Sequence, residues 1–540
     1  MADELNADVV IVGGGVAGGL IASWLASNKT KVLILESGPW VDRGSAFNVF
    51  LGSLAKGAPD APYPSLWYAP HPIVEDLKAY YVQDGPEEFQ STYTRRVGGT
   101  TWHWLGTSLR LVPNDFRMRS EYGISVDWPI TYNDLEPWYG QAEHELGVSG
   151  DSSQDLGSPR SRPYPLAPIP QTYLDKQWEA AAAAIGLKVR STPQARNSQP
   201  YDNRPACCGA NNCIPLCPIG AKYDGAVHIQ KAQKAGAQVL DQAVVHQIEV
   251  DQNRRVVAVR YKRSDRTEHR VTGRVFVIAA HAIETPKLLL MSRSETVPNG
   301  VANSSDQVGR NLMDHPTQLS WALSKDPVYP YRGPLATSGI EQLRDGDFRR
   351  ERAAFRIEIG NDGWSWPVAD PTGEVGDWIK QGLRGKALIT KVNEHVSREI
   401  RLASLLEQEP DPENRIIPAY DHLDAIGIPR PRIRYRIDAF AQRGLSEAIA
   451  IHDRLFDAIG VVERHHWKGF QGAGHVMGTH RMGDDPKASV VDRDCRTHDH
   501  PNLFLLGSGV FPTVGTANPT LTIAALALRA AGPVMRTLTT

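Results

Sequence analysis

Apolar residues in this chain fall into short runs bounded by glycine, with few long amphipathic stretches. The run DVVIV at Asp8–Val12 predicts a buried parallel strand, and the spacing in LIASWLASN predicts a helix from about Val16 to Asn28. KVLILE, Lys31–Glu36, predicts a second buried strand, so the chain opens as a β-α-β unit. Residues Gly38–Tyr93 are irregular and rich in Pro and Gly. Helical spacing returns at Asp134–Leu146 and Asp175–Ile185. Between them SPRSRPYPLAPIP, with its prolines from Pro159 to Pro170, predicts an extended, helix-free surface connection. QVLDQAVVHQIEV and RVVAVRYKR predict strands, and RVFVIAA at Arg274–Ala280 another buried one. From about Ser320 to Arg464 the pattern turns mixed and polar, with alternating stretches such as RPRIRYRID. This predicts a second domain built on an antiparallel sheet. The last 70 residues return to short buried strands and Gly-rich turns, closing with a helix from about Pro519 to Ala530.

Composition sharpens this picture only in part. At 540 residues the chain is long enough for two domains or one elaborated one. Apolar residues at 41% and charged residues at 22% suit a globule with a substantial core. The formal charge of −2, without long like-charge runs, argues against a dominant nucleic-acid surface. No apolar stretch reaches the ~20 residues that span a bilayer, so no transmembrane segment is expected. MADELNADVVIVGGG enters a strand without a basic region, apolar signal core or cleavage site; a self-encoded secretory signal is not expected either.

Chemistry concentrates at a few places. Gly13, Gly15 and Gly18 form G-x-G-x-x-G between strand and helix. The first permits the tight turn, the second lets backbone approach a pyrophosphate, and the third lets helix pack on strand. Glu36 ends the second strand 23 residues after Gly13, placed to hold a ribose hydroxyl pair. RRVGGTTWHW, Arg95–Trp104, carries a second Gly-Gly turn, with Gly98, Gly99, Thr100 and His103. GHVMGTHRMG, Gly474–Gly483, sets His475, His480 and Arg481 beside small residues; a histidine in such a turn is a base, a ligand or a structural residue. Asn518 before Pro519 reads first as a helix start, and is compatible with a helix N-terminus facing a flavin.

Four of the five cysteines lie in CCGANNCIPLC: Cys207, Cys208, Cys213 and Cys217. The closing C-x3-C-P occurs in iron–sulfur segments, and zinc is the rival reading. Neighbouring side chains at Cys207 and Cys208 point apart, so Cys207, Cys213 and Cys217 with Cys208 turned away suit a three-iron cluster better than tetrahedral zinc. Cys208 stays a possible ligand.

With these motifs in this order the chain resembles the glucose–methanol–choline (GMC) flavoprotein oxidoreductases. The likeness runs from GGGVAGG through VGGTTWHW, AIETPKLLLMS at Ala282–Ser292, VGRNLMDHP at Val308–Pro316, HVMGT and NPT. ARNSQPYDNRPACCGANNCIPLCPIGA narrows it to a subgroup, the catalytic subunits of bacterial FAD-dependent glucose dehydrogenases and fructose dehydrogenases. The resemblance implies an α/β + α fold: a Rossmann-like FAD-binding domain with an inserted substrate domain on an antiparallel sheet. The FAD-binding domain is expected from residues 1–48, 94–125, 200–318 and 468–540. The substrate domain and its connections take 49–93, 126–199 and 319–467.

The same resemblance makes His475 the catalytic base and Asn518 its partner. The FAD-binding set is Gly13, Gly15, Gly18, Glu36, Gly98, Gly99, Thr100, His103, Val245, Gly509, Asn518, Pro519 and Thr520. His103 sits where some relatives attach FAD covalently. The LGSGVFP turn lacks the Asp many members carry there, and His281 stands where Gly is common. The implied activity is dehydrogenation of a sugar, an aldose such as D-glucose at C1 ahead of fructose, sorbitol or another polyol or sugar acid. Electrons would pass through a 3Fe-4S cluster to a multihaem cytochrome c subunit, since the chain has no C-x-x-C-H of its own. A small chaperone-like subunit carrying the export signal would take it to the periplasmic face of the inner membrane; without such a partner a cytoplasmic location is expected. The rival readings are an FAD lyase, in which an electron relay would be idle, and a zinc-stabilised nucleotide-binding protein.

Overall fold

The computed structural model describes residues 5–52, 62–363 and 371–539. The opening apolar runs form β1 (Leu5–Val12), α1 (Val16–Ser27) and β2 (Val32–Leu35), as the pattern predicts. β1 pairs in parallel with β2 on one side and with β3 (Glu268–Ile278) on the other. The strand Gln238–Leu240 extends the sheet beyond β2. Val244–Val250 and Val256–Lys262 extend it beyond β3 as an antiparallel meander. The first half of β3 serves that meander and its last residues pair with Leu503–Leu505, so one strand carries both arms of the sheet.

A second sheet is antiparallel throughout, in the order 461–466, 316–324, 399–406, 355–360, 338–340 and 189–191. Its three central strands are buried on both faces. Strand side chains alternate between faces. Ile357, Ile359, Ile400, Leu402 and Leu406 therefore join the core under the helix Ala439–Ile459. Thr317, Leu319, Glu358, Arg401, Ala403 and Leu405 instead face a large cavity between the two sheets.

Three details depart from the sequence pattern. RPRIRYRID contributes Pro429–Arg434 to a separate three-stranded sheet with Arg415–Leu423 and Val82–Gln83, not to the large antiparallel one. The helix α2 (Tyr132–Leu146), expected with the substrate half, packs with the first sheet's core. There Leu135, Tyr139 and Ala142 are buried and the Tyr139 hydroxyl meets Thr522 Oγ1 at 2.8 Å.

The closing helix α3 (Thr520–Thr539) runs past Ala530 and through Pro533. Leu526, Val534 and Leu538 are buried along it, and that packing outweighs the one hydrogen bond a proline removes. Among the described residues α3 is the one helix long and apolar enough to cross a membrane, yet 67% of its apolar stretch is buried inside the protein. It packs against α1 and α2 as a core element.

The two halves are clamped by Arg349, which is fully buried. Its guanidinium reaches Asp115 Oδ1 at 2.8 Å and Glu407 Oε2 at 2.6 Å. Glu407 also accepts the Ala354 amide at 2.9 Å. The Asp115 carboxylate in turn accepts the Val112 amide at 2.9 Å and the Thr516 hydroxyl at 3.3 Å. Removing a lone partner from such a network strands buried charge. Arg349→Met is expected to lower stability by about 3–5 kcal/mol, read as a fall in the chemical-denaturation midpoint.

Candidate active site

The cavity between the sheets has a volume of about 1010 Å³, above the range of ordinary single-ligand pockets. Its floor is built where three glycine turns meet. Gly13 has φ +104°, and a Cβ there would lie 2.4 Å from the Ala279 carbonyl oxygen. The Gly98 amide donates to the Gly14 carbonyl at 2.8 Å, and a Cβ on Gly99 would touch Gly15 Cα at 3.0 Å. Gly225 closes the third side, where a Cβ would lie 2.8 Å from the Gly98 oxygen. Glu36 is buried beside this floor, accepting the Gly14 amide at 2.7 Å and the Gly38 amide at 2.8 Å. Burial pushes its carboxyl up, and those amides oppose the shift.

Of the expected cofactor residues, Gly13, Gly15, Glu36, Gly99, Thr100, His103, Val245, Asn518, Pro519 and Thr520 line the cavity. Gly18 and Gly98 lie behind it. A Cβ on Gly18 would sit 2.0 Å from the Gly13 oxygen, so its role is the close packing of α1 on β1. Gly509 is turned away: its missing Cβ leaves room for the ring of buried His480, and Gly507 and Ser508 face the cavity in its place. His480 and Arg481 do not line the cavity; Arg481 Nε donates to the Ala488 oxygen at 3.0 Å. The N-termini of α1 and α3 both open into the cavity, offering free amides and positive dipole ends.

His475 and Asn518 are brought together from segments 43 residues apart, with His475 Nε2 at 3.3 Å from Asn518 Nδ2. Behind them stands His315, which the sequence placed only inside VGRNLMDHP. Its Nδ1 lies 2.9 Å from His475 Nδ1, and its Nε2 lies 3.2 Å from the Gly515 carbonyl oxygen. A carbonyl only accepts, so His315 Nε2 carries the proton and His315 Nδ1 is an acceptor. His475 Nδ1 must then donate, which leaves the lone pair on His475 Nε2, facing the cavity. Asp314 anchors the pair by accepting the His475 amide at 3.0 Å and the His315 amide at 2.7 Å, together with the Ser91 hydroxyl. Burial, with His315 and Arg356 nearby, holds His475 well below the usual imidazole range, and burial brings His315 down to about 4. Both are neutral at pH 7, so His475 Nε2 carries no proton on the cavity side.

The cavity wall also holds a buried charge cluster that sequence reasoning missed. Glu284 pairs with Arg95 at 2.5 Å and Lys287 at 2.8 Å, and accepts the hydroxyls of Tyr80 and Tyr93. Two basic side chains on one buried carboxylate hold Glu284 ionised, its carboxyl well below the usual carboxylate range. His281 stacks on Tyr93 at 4.2 Å in the same wall, with its backbone at φ +75° where glycine would be unstrained.

On the far side of the cradle all four clustered cysteines line a small cavity: Cys213 is buried, Cys207 and Cys217 half-buried, and Cys208 exposed at the rim. Asn211 and Ile214 of the same loop line the large cavity, so the two sites share one wall. Lys222 Nζ donates to the Cys213 oxygen at 2.7 Å and the Trp102 oxygen at 2.9 Å, and also to the Trp104 oxygen, tying cysteine loop to cofactor wall. Arg43 donates to the Cys217 oxygen at 2.7 Å. Arg196, 1% exposed, lines the cysteine cavity, and its Nε and Nη1 find no partner among the described residues. Three cysteine sulfurs and a buried guanidinium with unspent donors are the set that an anionic metal–sulfur group would draw on. Cys495 lies apart, buried in the first core with its thiol pushed up to about 12.

A dinucleotide cradle, a neutral histidine–amide pair and a deep second compartment together define a nucleotide-dependent oxidoreductase of alcohol groups. The chain belongs to the GMC oxidoreductase family, whose N- and C-terminal profiles match residues 7–317 and 410–527. It is 40% identical to the fructose dehydrogenase large subunit of Gluconobacter japonicus, over 99% of both chains. It is 31% identical to 6'''-hydroxyparomomycin C oxidase of Streptomyces lividus, covering 97% of this chain and 90% of that one. Among solved structures, pyridoxine 4-oxidase from Mesorbium loti superposes with a TM-score of 0.68 at 17% identity, covering 98% of this chain and 99% of that one; that likeness shows the fold.

The cofactor is therefore FAD, which supplies the hydride acceptor. The chain's own residues are placed for the rest: the glycine floor and Glu36 line the cofactor end of the cavity, His475 Nε2 presents an unprotonated nitrogen that could accept a hydroxyl proton, and the Asn518 amide lies beside it where a substrate oxygen could be held. Asn518 Oδ1, buried without a partner among the described residues, fits a site completed only when occupied.

His475→Ala is expected to lower kcat by about 10²–10⁴-fold with FAD retained. His315→Leu should cost about tenfold in kcat, the worth of one orienting hydrogen bond, with the sugar KM little changed. Steady-state kinetics on flavin-loaded enzyme reads both. Acid stability follows from the same burial. His281 and His315 titrate near 4 in the folded protein, and His71, His452 and His480 near 3, against 6.5 when exposed. The unfolded chain therefore binds more protons across that window, and stability falls as pH falls through it. The expected loss is roughly 1.4 kcal/mol per pH unit for each such histidine, partly opposed by Asp314, whose carboxyl burial lifts to about 6. Urea denaturation at stepped pH measures the slope.

Proposed function

We propose that the chain is the catalytic subunit of a sugar dehydrogenase that oxidises a ketose of the fructose type and passes electrons through a three-iron cluster to a cytochrome c partner. The observation that carries this reading is the full-length 40% identity to a fructose dehydrogenase large subunit, together with the cysteine cavity directly behind the cofactor wall. The aldose reading favoured by the motif resemblance becomes the second choice, because the relative matched end to end acts on fructose.

The substrate compartment supports a neutral polyhydroxylated substrate. Glu358, Asp362 and Arg401, joined in an ion-pair network, bring polar groups to the cavity lining, and Trp467 lines the same cavity as His475. Cys207, Cys213 and Cys217 would hold the cluster, with Cys208 at the rim nearest solvent. Delivery to the periplasmic face by a small export-competent subunit, and covalent attachment of FAD at His103, belong to the same reading. His103 lines the cavity with its ring edge-on to Tyr63 at 6.0 Å, a position consistent with flavin contact.

The test is the visible spectrum of the anaerobic holoprotein before and after D-fructose and, separately, D-glucose, with iron and acid-labile sulfide measured on the same sample. Bleaching of the flavin by fructose ahead of glucose is expected. Bleaching by glucose alone reverses the order of substrates, and a loaded flavin that neither sugar reduces ends the sugar reading.

A further inference from the structure

Arg196 and Lys222 lie opposite each other across an antiparallel bridge, so their side chains leave the backbone on the same face. Both are buried, at 1% and 2% exposure, and neither has a carboxylate partner among the described residues. Lys222 spends its three N–H donors on the carbonyls of Trp102, Trp104 and Cys213. Arg196 spends only Nη2, on the Leu105 oxygen at 3.0 Å and Gln194 Oε1 at 3.0 Å. Its Nε and Nη1 are left over, in a side chain that lines the cysteine cavity. A buried guanidinium with two idle donors is costly unless an anion completes it.

We infer that Arg196 is the electrostatic partner of the cysteine-bound cluster, donating from Nε and Nη1 to its sulfur atoms and raising its reduction potential. This rests on the cluster reading above. Each electron accepted makes the cluster one charge more negative. A fixed cation and hydrogen bonds to sulfur therefore stabilise the reduced form more than the oxidised one. The position would suit a relay: Arg196 and Lys222 hold the carbonyls of Trp102, Trp104 and Leu105 at the cofactor wall, and Arg196 also lines the cavity in which the cysteines would hold the cluster. Arg196 is a positioning and tuning residue and is not catalytic.

The experiment is an EPR-monitored redox titration of wild-type, Arg196→Met and Arg196→Lys holoenzyme, with iron, acid-labile sulfide and flavin quantified. Arg196→Met is expected to lower the ratio of reduced to oxidised cluster at a fixed potential about tenfold, a shift of about 59 mV for a one-electron couple, with Arg196→Lys between it and wild type. Loss of the cluster from Arg196→Met with flavin retained, and its recovery in Arg196→Lys, also supports the inference. A fully loaded Arg196→Met with unchanged potential overturns it. Should both variants misfold, pulsed EPR on wild-type enzyme grown with isotope-labelled arginine decides: coupling of the cluster to an arginine nitrogen supports the assignment and its absence overturns it. Wild-type protein lacking iron and acid-labile sulfide removes the cluster reading itself, an outcome separate from all of these.

Discussion

Everything in this molecule depends on three backbone turns approaching one another without side chains between them. Gly13 to Gly15, Gly98 with Gly99, and Gly225 come from distant parts of the chain, and a Cβ at Gly13, Gly18, Gly98 or Gly225 would overlap backbone or ring atoms. That contact sets α1 against the sheet, fixes the loop that carries His103, and leads through Gly225 into the helix Ala226–Lys234. The cofactor floor and the chain leaving the cysteine loop are thus one packed unit, stabilised by close approach where larger residues would hold it apart.

Local chemistry was legible in the sequence where one short segment does one job. The G-x-G-x-x-G turn and Glu36 are read from strand, turn and spacing, and the cysteine loop from its own eleven residues. His475 and Asn518 were found only through a motif resemblance, because nothing near either residue states that they meet. The roles of Arg196, His315 and Gly225 were hidden for a related reason. Arg196 precedes the first cysteine by 11 residues and reaches its cavity through pairing with Lys222. His315 acts through a carbonyl 200 residues away. The end of α3 was misread because Gly532 and Pro533 are local stop signals, overruled by apolar packing along the rest of the helix. RPRIRYRID alternates as a strand should, and alternation cannot say which sheet receives it.

Burial also sorts the charges by task. Histidines around the cavity are kept neutral, which a proton acceptor requires. Arg95 is kept charged by the Glu284 carboxylate it faces, whereas burial pulls the Lys287 ammonium down despite the same partner. Arg349 shows the structural version of the same device, its charge matched by two carboxylates so that the halves hold together.

His315 immediately precedes the strand Pro316–Ser324, whose alternate residues Thr317 and Leu319 line the substrate compartment. The imidazole that orients His475 and part of the compartment lining are therefore written on one rigid ribbon, two residues apart. Diversification of such a scaffold is constrained in a particular way. Residues contributed by strands 355–360 and 399–406 are free to change the compartment's shape, whereas a change at Thr317 also re-aims the imidazole chain behind it. New specificities in this architecture should arise on the neighbouring strands first, with the 316–324 ribbon the slowest part of the compartment to drift.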